Sequence, residues 1–286
     1  MLSISTVCFI RPEPAAFFLA HRLHQMGGLK AIVVEESPPL PRWQRLRYKW
    51  QKEGWPGLWM SLRLRLKAQR GQERTEQMYQ VVFGESWRDL PDQVPVLRVR
   101  SINEARVGAW LDRFQPDWVV VHGTTIIRAE ILDKPSLFLN IHWGLSPWYR
   151  GVRCTEWALL NEDIRGIGVT LHRLSKRIDG GDILAQSEID LEPHDHPHRM
   201  DMKLTRKGVA LLEEIKFQVE QGQKLHFMPQ DLSQGKLYTT RMWSYRQHQQ
   251  IRSLLKAGKL TSWLASKDQR ASYPLTSSGT GGASPY

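Results

Sequence analysis

Cysteine is scarce in this chain: two residues, Cys8 and Cys154, among 286. Two thiols in apolar or helical contexts offer neither a disulfide framework nor a metal-ligand spacing, and a reducing cytoplasm is the simplest compartment. Long apolar runs are missing too, since none reaches the ~20 residues needed to span a bilayer. The stretch Met1 to Ile10 lacks a basic flank and a small-residue cleavage site, so it reads as a first strand rather than a signal peptide. Acidic residues are the minority, with 40 Lys/Arg against 29 Asp/Glu and a net charge of +11. Glycine is absent from the turn after the first strand, which reads Arg11-Pro-Glu-Pro14. Many nucleotide-binding sheets place glycines there, so that main-chain N–H groups cradle a phosphate. Two prolines have no N–H to give, which disfavours such a cradle.

What is present supports one good core. Hydrophobic residues make up 41% of the chain, enough for a single α/β unit with a small second module. Strand, helix and strand are expected at Ser3 to Ile10, Glu13 to Met26 and Leu29 to Val34, with Gly27-Gly28 ending the helix. That opening implies a parallel, doubly wound sheet. Further strands are expected at Val94 to Val99, Asp117 to Val121, Ser136 to Trp143, Ile167 to Leu174 and Ile183 to Ile189. Helices are expected at Ile102 to Phe114, Cys154 to Glu162 and Met200 to Gln221, with Thr155 helping to cap the second. The fold class is α/β, a doubly wound and mostly parallel sheet, with a basic helical insertion at 38–87 and a small C-terminal appendage. The expected division is 1–222 for the α/β domain, 223–271 for the appendage and 272–286 for a tail that is flexible by composition.

The charge excess is concentrated. Between Pro38 and Thr75 there are ten Lys/Arg against Glu53 and Glu73, a net +8. Trp43, Leu46 and Trp50 share one helical face, Leu58, Leu62 and Leu66 another, and Trp55-Pro56-Gly57 separates the two halves. One reading is a helical hairpin that lays its Trp/Leu stripe on the core and keeps its basic face in water. The other is contact with an anionic surface through 38–75: the phosphates of a sugar nucleotide, or weak contact with RNA or a membrane surface. The short tract His194-Asp-His-Pro-His198 has no partner cluster at a ligand spacing, so no metal is expected.

The chemistry lies in Leu139-Asn-Ile-His-Trp-Gly-Leu-Ser-Pro-Trp-Tyr-Arg-Gly151. Asn140 and His142 are two apart and project to the same face of a strand, just before a Gly/Pro loop. A second stretch, Gly168-Val-Thr-Leu-His172 followed by Asp179-Gly-Gly-Asp-Ile-Leu184, puts Asp179 at a turn. An amide, an imidazole and a carboxylate are thereby brought into play. Each has a commonplace structural use when taken singly.

These motifs resemble the formyltransferases that use 10-formyltetrahydrofolate, a family that includes methionyl-tRNA, glycinamide ribonucleotide and sugar-nucleotide N-formyltransferases. The resemblance runs from about Pro116 to Leu191. It implies Asn140, His142 and Asp179 as the catalytic trio. It also implies a folate site at Gly123, Thr125, Ile126, Ile127 and Ile178, and acceptor contacts from Trp143, Tyr149, Arg150 and His172. The proline turn departs from the glycinamide ribonucleotide branch. Trp143 and Leu145-Ser-Pro147 replace the family's usual Pro and Leu-Leu-Pro, which changes the wall beside the imidazole.

The activity so implied is N-formyl transfer to a primary amine by direct attack through a tetrahedral intermediate. The acceptor class is a small anionic amine, an amino sugar on a nucleotide. Asn140 would donate to the oxyanion, and His142 would donate or exchange a proton. Asp179 would favour the charged ring or relay a proton through water. No Ser or Cys stands ready as a nucleophile. Methionyl-tRNA formylation, hydrolysis of the formyl-folate, and a non-catalytic membrane- or RNA-binding relative remain the alternatives.

Overall fold

The computed structural model describes residues 3–38, 41–70, 72–85, 87–269 and 271–276. Ten of the fifteen positions of the expected tail, 277–286, lie outside this set. The chain opens with β1 (Thr6–Ile10), α1 (Pro14–Gln25) and β2 (Leu29–Glu35). It continues through α2 (Arg42–Arg70), α3 (Gln72–Phe83), β3 (Val96–Val99), α4 (Ala105–Phe114) and β4 (Trp118–His122). Next come α5 (Ala129–Leu132), β5 (Leu137–His142), β6 (Tyr149–Gly151), α6 (Cys154–Leu160), β7 (Gly168–Arg173) and β8 (Ile183–Glu188). The described chain finishes with α7 (Pro197–Glu220), β9 (Lys236–Tyr238), α8 (Tyr245–Lys256) and α9 (Lys259–Ala265).

Seven strands form one sheet in the order β3-β2-β1-β4-β5-β7-β8. β3 through β5 run parallel, while β7 and β8 run antiparallel to their neighbours. The connections leave β1 in one direction towards β2 and β3, and return on its other side to β4 and β5. This reversal opens a crevice beyond the carboxyl ends of β1 and β4, where doubly wound sheets bind ligands.

Alternation along the strands divides the core in two. Cys8, Ile10, Val34, Val120, Leu139 and Ile141 face one layer, with Leu19 and Leu23 of α1 and Leu204 and Leu212 of α7. Val7, Phe9, Val33, Val119 and Val121 face the other, against Val107 and Leu111 of α4. Both faces of the central strands are therefore apolar, as parallel sheets require. Each such side chain contributes roughly 1.5–3 kcal/mol by leaving water.

The proposed boundary at Gly222 is crossed by extensive pairing. β9 runs parallel to β6, Ile183 bridges Met228, and Gln186 N donates to Thr276 O at 2.9 Å. Tyr238, Ile251, Leu260 and Trp263 join the first core layer.

The insertion departs from the hairpin reading. Its break falls at Gly54, with φ 61° and ψ −160°, rather than at 55–57. Pro56 then sits in the first turn of the second half, where its missing N–H has no partner to lose. The expected Trp stripe does not cover the core: Trp43, Leu46 and Trp50 are 61%, 54% and 47% exposed. The helix meets the body through a different side. Lys52 Nζ donates to Thr240 O at 3.2 Å and to Trp243 O, and Tyr245 N donates to Glu53 Oε1 at 3.0 Å. Leu62 and Leu66 have side chains outside the described set. Among the described residues no helix is long and apolar enough to cross a membrane, and no His/Cys/Asp/Glu group could hold a metal ion. His196 caps α7 and His198 lies edge-on to Tyr79, so two histidines of the short tract have structural uses.

Candidate active site

β5 delivers Asn140 and His142 to the sheet's carboxyl edge, and β7 faces them across an antiparallel ladder. The register sets Asn140 opposite His172 and His142 opposite Thr170. Asp179 comes from the turn before β8, in a left-handed conformation with φ 46°, which Asp tolerates better than most residues. The loop after β5 curls back tightly. A Cβ on Gly144 would come within 2.6 Å of His142 Nε2 and 2.7 Å of Tyr149 O, so only glycine fits there.

Hydrogen-bond partners assign the ring tautomers. His142 Nε2 lies 2.9 Å from Tyr149 O, an acceptor, so Nε2 carries the proton and donates. Nδ1 is then left towards Asp179 Oδ2, at 3.5 Å. His172 Nδ1 donates to Arg173 O at 2.8 Å, leaving Nε2 to accept from Asn140 Nδ2 at 3.1 Å. Asn140 Nδ2 also reaches Asp179 Oδ1 at 3.4 Å. Gly151 N donates to Asp179 Oδ2 at 2.8 Å. Four groups, Asn140 and His142 of β5, His172 of β7 and the Gly151 N–H of β6, thus surround the carboxylate that the turn before β8 supplies.

Electrostatics divide the pair. Burial holds His142 below its ordinary 6.5, reinforced by His172 and His122 and opposed by the Asp179 charge and the Tyr149 carbonyl. Asp179 is also buried, which by itself would raise it. The His142 charge, His172 and the Gly151 N–H outweigh that and hold its carboxyl well below the usual range. The resting state is a carboxylate beside a neutral imidazole, able to take a proton and have the resulting charge balanced at once. Cys154 Sγ lies 3.7 Å from His142 Nε2. Its thiol is pushed well above its ordinary value by burial, with Asp179 and Glu156 adding to the effect, so it is a poor nucleophile.

A cavity of about 1120 Å³ opens over these groups. Asn140, His142, Asp179, Trp143, Gly123, Thr125, Ile126, Ile127 and Ile178 all line it, each expected from sequence. Tyr149, Arg150 and His172 are placed outside the lining. Tyr149 OH donates to Asp163 at 2.8 Å, and Arg150, only 9% exposed, donates to Pro147 O and Leu232 O. Both hold the loop in shape. His172 is fully buried and orients Asn140. Thr155 does not cap α6, whose start is set by Arg153 in a left-handed conformation.

Glu35 was not found from sequence. It ends β2 fully buried, accepting from Ile102 N at 2.9 Å and from Thr125 N and Oγ1 at 2.7 and 2.6 Å. Asn103 adds a second clasp, bonding Ile126 O and Arg128 N. An acid closing the apolar run Leu29 to Val34 was the available signal. The cavity also takes in Arg11 and Glu13 from the proline turn. His122 Nε2, buried, has no hydrogen-bond partner among the described residues and lies 3.7 Å from Glu13 Oε1.

Residues 49–215, more than half of the chain, match the formyl transferase family. The chain belongs to that family. The matched stretch contains Asn140, His142 and Asp179. Among curated members of the formyl transferase family, methionyl-tRNA formyltransferase of Chloroflexus aggregans is 37% identical over 149 residues, covering 51% of this chain and 47% of its own length. The bifunctional polymyxin resistance protein ArnA of Wigglesworthia glossinidia brevipalpis is 33% identical over 127 residues, 44% of this chain and 19% of its own. The chain thus spans about half, or less, of the length of the curated relatives it matches. A 4-N formyltransferase from Francisella tularensis shares the fold at a TM-score of 0.51 and 15% identity, covering 84% of this chain and 78% of that one.

Proposed function

We propose that the chain catalyses N-formyl transfer from 10-formyltetrahydrofolate to the primary amine of a small anionic acceptor, an amino sugar carried on a nucleotide. One observation carries this reading: Asn140, His142 and Asp179 converge at the floor of one cavity, with the imidazole neutral and its Nδ1 beside the carboxylate.

The folate would supply the activated formyl group. The residues present fit it. Ile126 and Ile178, apolar and 68% and 42% exposed, offer a wall for a flat ring. The clasped 123–127 loop presents main chain alongside. Asn140 supports its carbonyl oxygen with an amide N–H, released from the long contact to Asp179. His142 Nδ1 would take the proton that the amine loses and return it to the folate nitrogen as that nitrogen leaves, with Asp179 balancing the charge on the ring in between. Burial excludes bulk water from these groups and strengthens both interactions.

The acceptor class rests on the cavity's charge. Arg11, Arg128, Lys176 and Arg177 line it against Glu13, Glu156, Asp179 and Asp201. Glu156 is paired with Arg153 at 2.7 Å, and burial pushes the Asp201 carboxyl well above its ordinary value, which leaves positive charge in excess. An anionic group on the substrate meets that excess. The domain division at Gly222 and a cytoplasmic location belong to the same proposal.

The test is tetrahydrofolate release from 10-formyltetrahydrofolate with a panel of nucleotide-linked amino sugars, with methionyl-tRNA, and with no amine. Turnover that requires an amino sugar supports the proposal. Turnover only with methionyl-tRNA overturns the acceptor, and equal turnover without amine makes the chain a hydrolase. Unchanged turnover in His142→Ala overturns the site.

A further inference from the structure

The outward-facing side of α2 has no counterpart in the site just described. Trp55 and Trp59 are 65% and 68% exposed and fall one helical turn apart, continuing the exposed Trp43, Leu46 and Trp50 across the kink. Trp50 and Trp55 touch edge-on, with ring centroids 5.3 Å apart, so the two halves present one aromatic stripe. The side bearing Lys52 and Glu53 is turned to the body. Leaving five large apolar side chains in water is unfavourable unless something covers them.

Charge selects what that is. Arg42–Arg70 contains nine Lys/Arg and one acid, Glu53. A second copy of this chain would bring the same charge and be repelled. The covering partner is therefore anionic and has an apolar interior. Nucleic acid meets only the first requirement. The Trp50–Trp55 pair, tilted 84° to each other, also offers no parallel faces between which a base can stack. A basic helix with Trp and Leu along one side is the pattern of helices that lie in the headgroup zone, where indole rings are at home.

We propose that α2 docks this protein onto the surface of an anionic lipid bilayer, with Trp43, Leu46, Trp50, Trp55 and Trp59 entering the boundary between headgroups and acyl chains. Docking is not remote from the cavity. Thr240, whose carbonyl accepts from Lys52, is itself part of the cavity lining. The bound protein holds one wall of its cavity next to the lipid surface.

The test is co-sedimentation of the full chain with vesicles of phosphatidylcholine alone and of phosphatidylcholine mixed with phosphatidylglycerol. Pelleting with the mixed vesicles, weakening as salt is raised, is expected. Brominated acyl chains should quench the tryptophan fluorescence of the wild-type protein. The exposed pair Trp55→Ser/Trp59→Ser should lower vesicle affinity by about tenfold or more, with formyl transfer to a soluble acceptor unchanged, so that loss of docking and loss of catalysis are told apart. Equal pelleting with neutral vesicles, no quenching, unaltered binding by the double variant, or retention by RNA but not by lipid each overturns the proposal.

Discussion

The main-chain N–H of Gly151 donates to Oδ2 of Asp179 at 2.8 Å, joining two segments 28 residues apart. Gly151 can do this because its φ is +93°, and a Cβ there would strike Tyr238 O. The bond fixes one carboxylate oxygen by a group that never titrates. The other oxygen is left to the Asn140 amide.

Asp179→Asn can keep that bond, because a carboxamide oxygen accepts from the Gly151 N–H equally well. The variant should fold with a near wild-type melting temperature and still lose about 10²–10³-fold in kcat/KM, since only the charge opposite His142 is gone. Asn140→Ala should lose about 3–4 kcal/mol of transition-state stabilisation. Steady-state kinetics alongside circular dichroism melts check both. Loss of fold in Asp179→Asn would mean that the charge serves the structure instead.

The imidazole of His142 sits below 6.5, so the neutral form persists into mildly acid solution. Log kcat/KM should rise with pH along a limb centred below 6.5 and be flat by pH 7. Asp179 opposes the depression, so in Asp179→Asn the limb should move to still lower pH. The sign for stability is the same. A histidine depressed on folding contributes fully above 6.5, and that contribution is lost as pH falls below it. Asp179, also depressed, keeps its contribution until pH drops below the ordinary 3.8. Urea midpoints should hold steady above pH 7 and decline in those two stages.

Cys154 lies against His142 with its thiol pushed far up by burial. Cys154→Ala should therefore retain kcat within about threefold, and the native protein should resist alkylating reagents at pH 7.5. Rapid inactivation at Cys154 with loss of turnover would point to a covalent route.

Glu35 accepts three hydrogen bonds with two oxygens. Glu35→Gln must turn an NH₂ group towards at least one of those donors, which costs about 1–3 kcal/mol. Its effect on function should be selective, with KM for the formyl donor raised by about tenfold and kcat nearly intact, because the 123–127 loop loses its anchor. Equal losses in both constants would place Glu35 in the chemistry itself.

The pleat made part of this site readable in advance. Asn140 and His142 had to share a face, and strand edges fell within one or two residues of expectation for β4, β5, β7 and β8. Contacts that join distant segments were not readable. Nothing in Leu29–Glu35 announces that its last carboxylate will meet Thr125, 90 residues on. Periodicity showed that α2 has an apolar side but not which way that side turns, and here it turns outward. From sequence Arg150 could either orient an anionic substrate or fold its loop, and the choice lay with the carbonyls of Pro147 and Leu232, which the loop's path brings to it.

The short parallel ladder between β6 and β9 makes the cavity depend on a segment synthesised after every reactive group. Asn140, His142 and Asp179 leave the ribosome well before Leu237 and Tyr238, which pair with the Tyr149–Gly151 strand, and Thr239, which completes the lining with them. A nascent chain cut off ahead of Lys236 carries every reactive group and lacks the wall that encloses them. The enclosed cavity therefore waits on a segment about sixty residues downstream of Asp179.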